Sequence, residues 1–331
     1  MAKKPNSKTW DLPLSESKSS RPLPLSALPM RDGVSPSRVM LPYQGQWSTV
    51  LAFLQQHFDR IASEVWQARM QDGMVLDGQA KRLSVDAPYV AGAWVFYYRE
   101  VERETPIPFD VQILYQDSHL LVIDKPHFLP VTPSGRFVKE CVLSRLKAQF
   151  DEPDLIPIHR LDRETAGVML FSRRVESREA YQGLFRRREV QKTYQAIAPY
   201  RADLVFPIRR QTRIVKGEPF FCMHEVEGQP NSDTQIELLS QHGEWAKYLL
   251  KPHTGIQHQL RVHLAALGIP IKHDSFYPVA LPDKGDDFSQ PLQLLAKTIA
   301  FVDPITGQER VFDSTQKLQD QNILNFFKSN Q

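Results

Sequence analysis

The sequence predicts an α+β fold in two domains, preceded by a disordered tail. Three observations carry this. Apolar runs of strand length recur from Ile113 onward, and between them stand segments with the 3.6-residue period of amphipathic helices. The chain of 331 residues is long enough to bury two separate cores. A Pro-, Ser- and Lys-rich opening shows neither period.

That opening, residues 1–40, has prolines at positions 5, 13, 22, 24, 29 and 36, too frequent for helix or sheet. Its seven basic residues outnumber three acids, which suits weak phosphate contact. No apolar run follows the first lysines, so no signal peptide is expected. No stretch of about 20 apolar residues suggests a membrane span. The two cysteines, Cys141 and Cys222, form no CxxC pair, which excludes a disulfide framework and a cysteine-based zinc site. A soluble, cytoplasmic protein is expected. The net charge of +3 does not by itself imply nucleic acid; for that, the basic residues must cluster.

Residues 41–103 read as a small α+β domain. Val50, Leu51, Phe53, Leu54, Phe58, Ile61, Val65 and Trp66 are spaced for one or two amphipathic helices. Gly73 to Gly78 suits a short strand with an Asp-Gly turn, and Tyr89 to Tyr98 a strand interrupted at Gly92. This order resembles the small RNA-binding domain of ribosomal protein S-four, in a degenerate form whose acids offset its basic residues. Glu102 to Pro108 is expected to link it to a domain spanning 104–331.

In the second domain, Ile113 to Pro126 gives two strands about an Asp-Ser turn. Cys141 to Phe150 reads as a helix. The central stretch is His159-Arg160-Leu161-Asp162-Arg163-Glu164-Thr165-Ala166-Gly167, a polar loop feeding the buried strand Val168 to Phe171. Gly167 marks a point where only a residue without a side chain lets backbones approach. Asp162 lies between Arg160 and Arg163, whose charges favour an ionised carboxylate. Val175 to Arg188 is helical in period, and six arginines within sixteen residues (173, 174, 178, 186, 187, 188) suit a phosphate-tracking stripe. Lys192 to Ala198 and Trp245 to Leu250 read as strands, and Gln259 to Gly268 as a helix. His253, His258 and His263 are five apart, about 140° on a helix, which argues against a shared metal.

As strings, four of these segments resemble the RluA-type RNA pseudouridine synthases: "LLVIDKP" at 120–126, "HRLDRETAG" at 159–167, "KTYQA" at 192–196, and "HQLRVHLAALGIPI" at 258–271. The resemblance covers about residues 110–315. It implies a mixed, largely antiparallel sheet with flanking helices and a basic cleft. It also implies isomerisation of uridine to pseudouridine, in rRNA or tRNA, on a flipped-out base and by a monomer. By it Asp162 is the catalytic aspartate, Tyr194 stacks on the uracil, and Arg261 pairs with Asp162. Leu260 lines the pocket, and Arg160 fills the space that the flipped base vacates. His159, Thr165, Arg173, Arg174, Arg186, Arg187 and Lys192 are the further expected RNA contacts. Lys125 is expected near the cleft at most. Ile256-Gln257 stands where Arg-Thr is usual, and His273 where glycine is usual, both outside the Asp-Tyr-Arg set.

No cofactor or metal is expected, which agrees with the absence of a P-loop or Gly-rich fingerprint. Two other classes fit the same residues: a catalytically silent RNA-binding protein, and a hydrolase that releases uracil.

Overall fold

The computed structural model describes residues 21–99, 104–282 and 285–319, in two compact units. The first 20 residues of the expected tail and the expected domain boundary at 103 lie outside the described residues. No described helix is long and apolar enough to cross a membrane.

The first unit holds a three-stranded antiparallel sheet of β1 (Ser37–Met40), β2 (Val75–Asp77) and β3 (Trp94–Tyr97), in the order β1-β3-β2. Two helices, α1 (Val50–His57) and α2 (Ser63–Gln71), pack Val50, Phe53, Leu54, Trp66 and Met70 against it. Thr49 caps α1, its hydroxyl accepting from Ala52 N–H at 3.1 Å. The strand expected from Tyr89 begins only after Gly92, whose φ of +76° makes a turn.

One expectation needs correcting. Residues 21–40 are not a disordered tail: β1 pairs with β3, and Leu28 is buried with Met74, Leu76, Phe96 and Tyr98. The Tyr98 hydroxyl donates to the Pro29 carbonyl at 2.6 Å. The prolines fall between these contacts, where extended backbone suits them.

The second unit is built on one large sheet. In chain order it comprises β4 (Gln112–Gln116), β5 (Leu120–Lys125), α3 (Val142–Phe150), β6 (Ile156–Pro157), β7 (Ala166–Ser172), α4 (Val175–Arg186), β8 (Gln191–Pro199), β9 (Ile208–Lys216), β10 (Met223–Val226), β11 (Ser232–His242), β12 (Trp245–Pro252), α5 (Gln259–Ala266), β13 (Leu294–Val302) and β14 (Glu309–Asp313). The strand order is β10-β9-β11-β12-β8-β13-β7-β5-β4, with β14 on β13 and β6 on β7. Every pairing is antiparallel except β13 with β7. This is the mixed, largely antiparallel sheet expected.

β5 and β7 are buried along their whole length, because each face carries a helix. On one side Leu121, Ile123, Met169 and Phe171 meet Val142 and Leu146 of α3. On the other, Leu120, Val122, Val168 and Leu170 meet Tyr181 and Leu184 of α4. Farther along the sheet, Leu260 and Leu264 of α5 pack on Ala196, Ile236, Tyr248 and Leu250. The segment expected as a linker is tied down from Glu104: its carboxylate accepts from Val138, Lys139 and Glu140 N–H groups, and Ile107 is buried.

Candidate active site

The loop from Ile158 to Thr165 is delivered by β6 and returns into β7 through a turn closed by Thr165 N–H on the Asp162 carbonyl at 3.1 Å. Gly167 follows with φ +120°, and a Cβ there would lie 2.2 Å from the Ala296 carbonyl oxygen. The close approach inferred for Gly167 is the parallel pairing of Ala296 with Gly167. It holds the loop rigidly against β13, so Asp162 stands on a fixed platform.

Asp162 opens into a cavity of about 1180 Å³, lined also by Arg160, Leu161, Thr165, Lys192, Tyr194, Leu260 and Arg261. Five Arg or Lys residues (160, 163, 188, 192, 261) and three acids (162, 164, 287) line it, a cleft biased toward anions. Three of the four segments, from separate parts of the chain, thus meet at one place, while Lys125 of the fourth lies beneath the Asp162 loop. Arg261, 1 % exposed, reaches Asp162 Oδ2 at 3.3 Å. Tyr194, on β8, feels the Asp162 charge; burial first, and that charge second, push its hydroxyl well above the usual tyrosine range. It stays protonated.

Arg261 has a second carboxylate that sequence reading missed. Asp274, with a wholly buried side chain, accepts from Nε at 2.8 Å and from a terminal nitrogen at 2.6 Å. Burial alone would lower the Arg261 guanidinium, but the Asp274 bonds and charge, with Asp162 behind them, carry it above its ordinary value. Phe276 and Tyr277 N–H groups hold Asp274 Oδ1 in turn. His273 beside it has φ +63°, a left-handed backbone that suits the glycine usual at this position.

His258 is the other missed neighbour. Its Nε2 lies 3.7 Å from Asp162 Oδ1. The Tyr277 hydroxyl accepts the Met223 N–H at 2.8 Å and lies 2.8 Å from His258 Nδ1. With its proton on Nε2 the ring donates toward Asp162 and accepts from Tyr277. Burial lowers the His258 pKa, the Asp162 charge partly offsetting it. The neutral ring is therefore a dipolar neighbour of the carboxylate, not a second cation.

Several of the expected site residues stand apart from Asp162 or from the cavity. Arg160 and Arg163, adjacent to Asp162 in sequence, do not pair with it. Arg163 donates to the Phe128 carbonyl, stacks over Phe137 and lies 3.7 Å from Glu164, while Arg160 is exposed at the cavity. Successive residues of a loop point different ways, so sequence adjacency is poor guidance. Arg173, Arg174, Arg186 and Arg187 do not line the cavity. Arg173 is tied to Glu152 and the Asp117 carbonyl, and Arg174 to the Ser118 carbonyl; Arg186 and Arg187 pair with Glu179 and Glu189. Of the six-arginine run only Arg188 reaches the cavity.

His159 lies under the loop, its Nε2 accepting from Leu170 N–H at 3.1 Å and its ring stacked on Phe185. Burial, then the Lys192 charge, lowers it to about 3, so it is neutral. Lys125 is fully buried beneath the same loop, donating to the carbonyls of Pro126, Leu129 and Arg163 at 2.8, 2.8 and 3.0 Å. Burial lowers it to about 7, while the three acceptors match the three protons of an ammonium. Among the described residues no group of three His, Cys, Asp or Glu side chains is arranged to hold a metal ion.

Comparison with known proteins accords with this geometry. Residues 119–266 match the RNA pseudouridylate synthase family. An uncharacterized RNA pseudouridine synthase of Synechocystis is 31 % identical over 233 residues, 69 % of this chain and 79 % of that protein. The dual-specificity RNA pseudouridine synthase RluA of Haemophilus influenzae is 31 % identical over 229 residues, 65 % of this chain and 97 % of that protein. The structure of human RNA pseudouridylate synthase domain containing 4 aligns with a TM-score of 0.50 and 27 % identity, over 66 % of this chain and 93 % of that one.

Proposed function

The chain belongs to the RluA-type RNA pseudouridine synthases, enzymes that isomerise uridine in RNA, and from that footing we propose that Asp162 is its catalytic carboxylate. The observation that carries the proposal is the 3.3 Å approach of Arg261 to Asp162 in a cavity shared with Tyr194. Isomerisation breaks the bond from N1 of the base to C1′ of the ribose and forms one from C5. C5 loses a proton, and N1 ends protonated. An anionic oxygen beside the sugar and base can attack or take that proton.

Each neighbour has a distinct task. Tyr194 offers a ring face to the uracil and keeps its proton. Leu260 gives the base an apolar wall, and Arg261 fixes the Asp162 carboxylate. The target uridine has to leave its stack to enter, at a cost of a few kcal/mol, and Arg160 at the cavity is free to occupy the gap. Lys192, Arg188 and His253 then meet the flanking phosphates. Arg186 and Arg187 extend that track, since exposed ion pairs are worth only about 0–1 kcal/mol and yield to phosphate. We place the substrate among structured rRNA or tRNA, the enzyme as a monomer, and the compartment as the reducing cytoplasm, which suits two free, buried cysteines. RNA binding by the first unit is part of the same proposal.

The test is pseudouridine mapping of total RNA from cells lacking the gene, after incubation with the wild type and with Asp162→Asn. The wild type restores specific sites and Asp162→Asn restores none while still binding RNA. Substantial restoration by Asp162→Asn removes the carboxylate from its role. Release of free uracil instead of pseudouridine makes the site a hydrolase.

A further inference from the structure

The β9–β10 hairpin has no part in the reading above, yet its tip is unusual. Phe220 is 81 % exposed, and Phe221 beside it 37 %. A single exposed aromatic needs no explanation. This one begins a row of rings. Phe220 and Phe221 centroids lie 5.4 Å apart, Phe221 and Phe276 5.0 Å, and Phe276 and His258 5.6 Å. The Arg261 guanidinium sits 4.8 Å from the Phe276 ring centroid. The row therefore runs from the hairpin tip to the two groups that face Asp162, and Phe221 and Phe276 both line the cavity.

Charge at the tip points the same way. Lys216, the last residue of β9, is exposed and makes no ion pair among the described residues, while Glu218 is the tip's acid. Arg213, also exposed and in no ion pair among the described residues, lies farther along β9, opposite Val226. Arg209 and Arg210 of the same strand are already paired, with Asp233 and Glu225. A cation at the root of the tip loop and an exposed ring at its end, continuous with the cavity through Phe221, match the two halves of a single-strand contact: phosphate on the cation and base on the ring.

We propose that the β9–β10 tip is a second base-binding position, where an unpaired nucleobase near the target uridine stacks on Phe220 and the adjoining phosphate meets Lys216, with Arg213 farther along the strand. The proposal rests on the RNA-modifying reading of the cavity. It makes Phe220 a contact for substrate affinity, outside the chemistry at Asp162.

The experiment uses the full chain, total RNA from cells lacking the gene, and single-stranded oligouridylate as a separate binding probe. Phe220→Ala is expected to raise the RNA concentration for half-maximal single-turnover conversion about tenfold, about 1.4 kcal/mol, with the saturating rate within twofold. Phe220→Leu behaves like Ala, Phe220→Trp like the wild type, and oligouridylate affinity follows the same order. Melting temperatures stay equal, since Phe220 is mostly in solvent. The proposal is overturned if Phe220→Ala matches the wild type in both assays, if Phe220→Leu restores binding, or if only the saturating rate falls. A wild type that forms no pseudouridine defeats the reading of the cavity instead, and oligouridylate binding then judges the stacking position alone.

Discussion

Asp274 takes two nitrogens of Arg261, at 2.8 and 2.6 Å, and leaves Asp162 a third at 3.3 Å. One positive charge thus serves two carboxylates, and the tighter bonds go to the buried one. Asp162 is oriented by Arg261 while the closer bonds of the guanidinium go to Asp274. Asp274→Asn preserves shape but removes that competition. We expect turnover to fall at least tenfold as Arg261 shifts toward Asp162, and stability to fall by about 3 kcal/mol because a buried pair is broken. RNA affinity should change little, since Asp274 is out of solvent. Single-turnover rates, thermal melts and filter binding on the same variant check this; wild-type turnover would show that the clamp is purely structural.

Asp162→Asn and Arg261→Met should each reduce pseudouridine formation to near background. The two losses should not add, because both act through one carboxylate. A double variant no worse than either single one is the expected result. Additive losses would mean that Arg261 acts on the substrate directly.

Tyr194→Phe keeps the ring and loses the hydroxyl. RNA affinity should stay within twofold while the rate drops about tenfold, because a protonated hydroxyl able to donate a hydrogen bond near Asp162 is lost. Burial and the nearby Asp162 charge keep that hydroxyl protonated, so no alkaline rate inflection should vanish in the variant. Full activity would leave Tyr194 as a stacking surface only.

Acid should destabilise the protein through its buried histidines. His263 is wholly buried, bonded among Thr212, Ser232 and Thr234, and burial lowers it to about 4. His127 is likewise lowered to about 4 by burial. Between that value and 6.5 the unfolded chain binds more protons than the folded one, so stability rises with pH there. It is fully present above about pH 6.5 and lost on the way down to 4. At pH 5 His263 alone should cost about 2 kcal/mol. Melting temperatures that are flat from pH 7 to 5 would refute this.

Gly167→Ala should cost about 3 kcal/mol or more, since the new Cβ meets backbone rather than a movable side chain, at φ +120°. Thermal melts measure it. A variant as stable as the wild type would mean that β7 and β13 can part slightly without loss.

The sequence made β5, β7, α3, α4 and the Asp162 loop legible because burial on both faces leaves uninterrupted apolar runs. The strands β9 to β11 were not legible. β9 turns Arg210 and Thr212 inward, and β11 buries Ser232 and Thr234, whose hydroxyls are spent on His263 and Gln259. Buried polar residues of this kind look like loop until their partners, some thirty positions away, are seen. Asp274 was hidden similarly: it was passed over beside the departure at His273, and its tie to Arg261 is a contact across a turn. Residues 21–40 misled in the opposite sense. Proline density argued for disorder, but β1 needs only four proline-free residues to pair with β3.

β13 stands between β7 and β8, so the Asp162 loop and the Tyr194 strand touch the same late segment, 294–302. Ribosomal synthesis runs from the amino end, and the three motifs that carry Asp162, Tyr194 and Arg261 all emerge before it. Without it, the edges of β7 and β8 have no partner on that side, and open edges of this kind invite pairing with other chains. The Asp162 loop and the Tyr194 strand are therefore held side by side only by a segment made after both of them.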